Sequence, residues 1–414
     1  MSEVSKNGDR KRAARKSTGP QPGDSDYKTP TQLRNARKRR KLKKDKQNSR
    51  TATLEQEVDP SLRYLDNPTA APIIQHAKSF FQEQDQEFNV IVGPTRGWRT
   101  VAKLAVRLDQ GILRIGLFVP GSHKLLEIPQ CKVHHPRINA AVEVIQKKSR
   151  KHNIKPFDEE LGEGCLKFVA INIERSTGKQ QVTLVWNDAE TEIEEKNKLK
   201  GLCETLIRIS NSGDTRLNLH SLFVHYTKSN KHANSIFDYR KGRWEKHYGE
   251  DMVVEHLDVD ESLKVPLHFP PQVFRQANLD AFTNIVSEIR SWLREKSKPK
   301  HCLELYGGVG TIGLHIADIC ESFVSSDENP YNKHCFEKSV EFLDIGKPAG
   351  KCKKITYESK NATDMTQSSE IDQVDLCLVD PPRKGLDPEG KTFETKILGC
   401  IFFSNSITQP GIFF

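Results

Sequence analysis

Leu303-Glu304-Leu305-Tyr306-Gly307-Gly308-Val309-Gly310-Thr311-Ile312-Gly313 is the stretch on which the fold of this 414-residue chain turns. Gly308, Gly310 and Gly313 satisfy the spacing G-x-G-x-x-G. Glycines so spaced let a backbone turn sharply and approach a ligand where a Cβ would clash. The apolar run at 302–305 predicts a strand before the turn, and the residues after it predict a helix to about 319. Further along, a strand is predicted over 323–326, a helix over 334–343 and a buried strand over 374–379. Ahead of the turn, 278–296 has helical periodicity with Trp292 and Leu293 on the apolar side. Strand, glycine turn, helix, strand, helix, strand is the order of an α/β fold with a Rossmann-like, doubly wound parallel sheet.

Asp327-Glu328 follows the second predicted strand, about 20 residues beyond Gly308. An acid at that place can accept hydrogen bonds from both hydroxyls of a ribose, whether the ribose belongs to NAD or to S-adenosylmethionine. These residues leave a dehydrogenase and a methyltransferase both open. The later strand end, Val379-Asp380-Pro381-Pro382-Arg383-Lys384-Gly385-Leu386-Asp387, separates them. In an open α/β sheet ligands bind beyond the carboxyl ends of the strands. Two prolines fix a rigid corner there and hold Asp380 toward a cofactor and a substrate base. A dehydrogenase has no need of that corner, whereas Arg383 beside it suits an anionic polynucleotide. Upstream, in Phe274-Arg275-Gln276-Ala277-Asn278, Gln276 offers a donor and an acceptor suited to an amino-acid moiety.

Four regions are expected along the chain. Residues 1–58 are polar and poor in aromatics and read as a disordered basic tail. Residues 59–235 read as an α+β domain, with helical spacing at 73–81, 138–148 and 199–209 and strands at 100–107, 111–119, 166–174, 181–186 and 219–225. Ser176-Thr177-Gly178 predicts a hairpin, and Pro120-Gly121-Ser122 a turn. Residues 236–265 read as a strand-containing connection, and 266–414 as the nucleotide-binding domain.

Charge is uneven. Residues 1–50 carry 17 Lys and Arg against 5 Asp and Glu, while the whole chain nets only +9, so the remainder is slightly acidic. The run Arg37-Lys38-Arg39-Arg40-Lys41-Leu42-Lys43-Lys44 reads as a nucleic-acid-binding arm or a nuclear-import signal. No run reaches the roughly 18 apolar residues of a membrane helix, and the charged N-terminus has no apolar core of a secretory signal. The nine cysteines form no C-x-x-C pair, so no metal site is written, and reduced thiols of an intracellular protein are expected.

Taken together, the segments at 274–278, 304–310 and 380–387 resemble those of the RNA uracil-5-methyltransferase family, which acts on tRNA and ribosomal RNA. The resemblance covers 266–390 and extends more loosely into the middle region through Gly97-Trp98-Arg99 and Gly121-Ser122-His123, which would make it the RNA-facing domain. It implies a class I methyltransferase sheet, S-adenosylmethionine as cofactor, RNA as partner, and no membrane or metal. It also implies cofactor contacts from Gln276, Tyr306, Gly308, Gly310, Thr311, Glu328, Asn361 and Asp380. Gln276 would hold the methionine end, Glu328 the ribose, and Asn361 would lie near the adenine. Glu328 matches the family's acid better than Asp327.

The family's chemistry adds a cysteine thiolate to C6 of uracil, which makes C5 able to attack the sulfonium methyl, and a base then removes the C5 proton. The family's cysteine stands in a Ser-Cys-Asn-Pro-like turn after the Asp-Pro-Pro strand, with a base glutamate near the C-terminus. Here Cys400 is the cysteine nearest that place, its neighbours differ, and no such glutamate follows. A C-terminally truncated member, lacking the last strands of the sheet, is therefore expected. Two alternatives accompany that reading: a catalytically inactive RNA-binding protein that keeps the fold, and an NAD-dependent oxidoreductase. A basic leader fits nucleus, cytoplasm or an organelle.

Overall fold

The computed structural model describes residues 60–86, 88–119, 124–188, 192–228, 242–261, 263–296, 299–343, 352–367, 373–382 and 400–402. The basic tail, the turn at 120–122 and the segment 383–390 lie outside the described residues.

The middle region is built on one seven-stranded sheet. After helix α1 (Pro72–Glu83) come β1 (Val101–Asp109), β2 (Ile112–Phe118) and β3 (Leu125–Leu126), then α2 (Pro136–Lys151). They are followed by β4 (Leu166–Ile173), β5 (Gln180–Asn187), α3 (Ile193–Asn211), β6 (Leu219–Thr227) and β7 (Arg243–Gly249). Spatial order is β3-β2-β1-β4-β5-β6-β7, antiparallel throughout except that β5 and β6 run parallel. Period-2 alternation turns Ala102, Leu104 and Val106 of β1 to one face, where they pack with Ile138 and Ile145 of α2 and Leu199 and Leu206 of α3. The crossover through α3 supplies the length that the parallel β5–β6 pair requires. The predicted hairpin at Ser176-Thr177-Gly178 forms, joining antiparallel β4 and β5. Within the stretch read as a strand-containing connection, β7 extends the sheet past 235, and its shallow burial keeps it from reading as a core strand.

A two-stranded antiparallel ribbon, β8 (Val253–Glu255) with β9 (Leu267–Phe269), leads into the second sheet. Helix α4 (Leu279–Lys296) precedes β10 (His301–Leu305), then follow β11 (Ser322–Ser326), α5 (Pro330–Val340), β12 (Lys354–Glu358), α6 (Ala362–Thr366), β13 (Leu376–Val379) and β14 (Cys400–Phe402). The order β12-β11-β10-β13-β14 is parallel throughout and reverses direction at β10, the doubly wound arrangement expected.

Two expectations are corrected. No α-helix follows the glycine turn; Gly313–His315 and Ala317–Ile319 are two short 3-10 turns. Ile312, Leu314, Ile316, Ala317, Ile319 and Cys320 are all buried, so this stretch has no single apolar stripe of the kind that holds an amphipathic helix against a sheet. Trp292 is about half exposed (47%) while its neighbour Leu293 is fully buried, because successive helical residues point about 100° apart. The sheet also has a strand beyond β13 that the sequence reading did not single out: β14 pairs with it in register, Cys377 opposite Cys400 and Val379 opposite Phe402.

Gly313 lies against strand β11, and a Cβ there would run into the Phe323 ring and the Glu304 carboxylate. Gly313→Ala is therefore expected to destabilise the chain by about 2 kcal/mol through overpacking, read as a lower denaturant midpoint. An unchanged midpoint would mean that the contact is looser than described.

Candidate active site at the carboxyl ends of the strands

Glu304 on β10 organises the site from beneath. Its carboxylate is buried; Oε1 accepts from the Gly313 amide at 2.9 Å and Oε2 from the Ser325 hydroxyl at 2.6 Å. One side chain thereby joins β10, β11 and the far end of the glycine turn. Burial pushes its carboxyl up to about 7, against the pull of those two donors, with Asp380 and Asp327 adding to the rise.

Above Glu304 the chain reverses through Tyr306, Gly308 and Gly310, all with positive φ (58°, 56° and 85°). For Tyr306 this is an uncommon, costly conformation. The turn is fixed by bonds from Gly307 N–H to Ser326 O (2.9 Å) and Gly310 N–H to Gly307 O (2.8 Å), and from the Tyr357 hydroxyl to Gly308 O (2.9 Å). The glycines do different jobs. A Cβ at Gly310 would lie 2.6 Å from the Phe336 ring and 2.8 Å from Leu314, so this glycine serves packing. At Gly308 a Cβ would meet nothing within 4 Å among the described residues, so this glycine borders open space at the rim.

The two acids after β11 are also distinguished. Asp327 Oδ2 accepts from the Gly308 amide (3.2 Å) and Oδ1 from the Asn329 amide (2.8 Å). Burial raises its pKa nonetheless. Asp327 thus braces the glycine turn, and Glu328 is the exposed acid at that strand end. Asp380 follows β13 on the other side of β10, and Gln276 Nε2 donates to its Oδ2 at 3.5 Å. Residues 104 apart in sequence therefore meet at one rim. Thr311 is half-buried, and its carbonyl lies 2.9 Å from His315 Nδ1. Asn361 is the exposed N-cap of α6, accepting from the Asp364 amide at 2.8 Å, just past the edge strand β12.

Cys400 opens β14 in register with Cys377, on the amino side of the strand-end rim. The other eight cysteines are all buried. Burial pushes the thiols of Cys203 and Cys335 up to about 12, far from a ready thiolate.

Sequence reading missed Glu304, Ser325, Asp327 as a brace, and Tyr357. A charged residue inside an otherwise apolar strand was the available signal for Glu304, since an acid is buried only where donors meet it.

A parallel sheet of this order, with a glycine turn after its central strand and acids at the neighbouring strand ends, is the layout of a class I methyltransferase. No protein-family model matches the chain. An uncharacterized RNA methyltransferase of Protochlamydia amoebophila is 37% identical over 295 residues, 71% of each chain. One of Lactococcus lactis is 24% identical over 297 residues, covering 71% of this chain and 58% of that one. The chain belongs to the RNA methyltransferase family, which removes the oxidoreductase reading. The structure is also similar to that of the tRNA (uracil-54, C5)-methyltransferase of Pyrococcus abyssi in complex with S-adenosyl-L-homocysteine: TM-score 0.50, 19% identity, 71% of this chain and 62% of that one. No helix among the described residues is long and apolar enough to cross a membrane.

The buried Glu304 gives a pH signature. Its folded pKa, about 7, lies above the ordinary 4.5, so the stability it contributes is complete below pH 4.5 and is lost as pH rises through about 7. The loss is on the order of 3 kcal/mol. Glu304→Gln, a neutral isostere able to keep both bonds, is expected to flatten that part of the stability profile. An unaltered pH dependence in the variant would show that the carboxyl titrates normally.

Proposed function

We propose that this chain transfers the methyl group of S-adenosylmethionine to carbon 5 of a uracil in tRNA or ribosomal RNA. The observation that carries the reading is the shared rim: Gln276 against Asp380, the open side of Gly308, and exposed Glu328, all at the carboxyl ends of adjacent parallel strands. That donor and acceptor set fits the cofactor. Gln276 would take the methionine end, Glu328 the ribose hydroxyls, and Asn361 the neighbourhood of the adenine, while Tyr306, Gly308, Gly310 and Thr311 would run along it. When bound, the sulfonium supplies an electrophilic methyl group. Asp380 and the proline corner Pro381-Pro382 would face the incoming base, which must leave its stack to reach the rim. The thiol needed at uracil C6 has no counterpart at this rim among the described residues: Cys400, the nearest in sequence, enters β14 on the amino side, and the other eight are buried. The name and bound ligand of the Pyrococcus protein agree with this reading.

Incubation of the chain with methyl-labelled S-adenosylmethionine and unmodified tRNA or ribosomal RNA is expected to yield 5-methyluridine on nucleoside digestion. Label on any other atom overturns the uracil assignment. Donor binding without transfer would instead favour the RNA-binding protein that keeps the fold. Asp380→Ala and Gly308→Val are each expected to abolish donor binding, and full affinity in either would contradict the placement. The basic tail would contact phosphate in an intracellular RNA, in the nucleus or cytoplasm. Deleting 1–50, with its 17 Lys and Arg, is expected to weaken RNA binding and flatten its salt dependence; an identical salt slope would refute that role.

A further inference from the structure

The residues on both sides of Gln276 are held, Ala277 by the middle region and Arg275 by the β8–β9 ribbon. Its successor, Ala277, presents a carbonyl that accepts two bonds from a single residue, Thr100: from the amide at 2.8 Å and from Oγ1 at 3.0 Å. Its predecessor, Arg275, is buried and places Nη2 2.5 Å from Glu255 Oε1 and 3.4 Å from the same Thr100 Oγ1. The Arg275 guanidinium also lies near the Phe269 ring, 5.8 Å from its centre. Glu255, in β8, is buried and additionally accepts from the Arg175 amide at 3.0 Å and from Arg175 Nε at 2.8 Å. Arg175 sits in the β4–β5 hairpin and reaches on to Asp280 at the start of α4. Thr100 is itself tied into the seven-stranded sheet, its carbonyl accepting from Ile173 N–H at 2.8 Å.

Three consecutive residues, 275–277, are thus gripped at the first by Glu255 of the β8–β9 ribbon and at the third by Thr100 beside the seven-stranded sheet, and the middle one meets Asp380. We propose that Thr100 is a positioning residue for the methyl-donor site: its hydroxyl fixes the backbone on which Gln276 is carried, and with the Arg275–Glu255 pair it transmits the placement of the middle domain to the cofactor rim. This rests on the reading of Gln276 as a methyl-donor contact given above. The hydroxyl is suited to the task because it is buried and touches neighbours on both sides of Gln276, donating to the Ala277 carbonyl and accepting from Arg275. Substituting Glu255 would be a blunt test, since it strands a buried guanidinium without its anion and threatens the fold. Thr100→Val keeps the size and the amide bond and removes the hydroxyl alone.

The test is a double-mutant cycle on the full chain: wild type, Thr100→Val, Thr100→Ser, Gln276→Ala and Thr100→Val with Gln276→Ala, each titrated calorimetrically with S-adenosylhomocysteine and melted without it. Thr100→Val is expected to weaken binding about tenfold and Thr100→Ser to restore it to within about twofold. In the Gln276→Ala background Thr100→Val should cost nothing further, because the side chain it positions is gone. Additive losses, or a Thr100→Val affinity equal to wild type, would overturn the inference while leaving the donor site standing. No rescue by Thr100→Ser would also overturn it. Absence of binding by the wild type, or no loss in Gln276→Ala, would instead remove the reading on which the inference depends and the inference with it.

Discussion

A carboxylate sealed under a glycine turn sets the geometry of the C-terminal sheet. Glu304 can reach the Gly313 amide and the Ser325 hydroxyl together only because residues 307 and 313 lack side chains; a Cβ at either would collide with that carboxylate. The glycines are therefore needed as much for what lies beneath the turn as for what lies above it. Burying an acid is unfavourable unless donors meet it, and here two donors from different segments do so. The result is a turn braced from within, with Tyr306 at a positive φ and Gly308 facing open space.

From that point the parallel register does the rest. Leu305 pairs with Ser326 on one side and with Val379 on the other, so the chain leaves all three strands at one level. Glu328 and Asp380 arrive on opposite sides of the turn for that reason alone. Asp327 has become part of the turn's support, and Glu328 is left as the exposed acid. The seven-stranded sheet and the β8–β9 ribbon contribute by gripping the residues on either side of Gln276, Thr100 holding Ala277 and Glu255 holding Arg275, which ties together sheets that share no strand.

Much of this was legible in the residues. Apolar runs before a glycine turn and before Asp-Pro-Pro gave β10 and β13, imperfect alternation gave β1, and the Ser176-Thr177-Gly178 turn gave β4 and β5 on its two sides. What escaped notice did so for physical reasons. Strand β12 is Lys-Ile-Thr-Tyr-Glu at a sheet edge, and β7 is Arg-Trp-Glu-Lys-His-Tyr-Gly at another, both too polar to stand out from loops. The stretch after the glycine turn has helical composition but buries every residue from 312 to 317 and takes 3-10 turns instead. Trp292 was placed inward on periodicity although only Leu293 goes in. Pairings such as Gln276 with Asp380, or Thr100 with Ala277, join residues more than a hundred positions apart, and no local pattern encodes them.

The most direct measurement is a crystal structure of the chain grown with S-adenosylhomocysteine. The account predicts ligand density along the Tyr306–Gly310 turn, with the ribose toward Glu328 and the amino-acid end between Gln276 and Asp380. Density elsewhere on the molecule, with that rim closed by protein side chains, would contradict it.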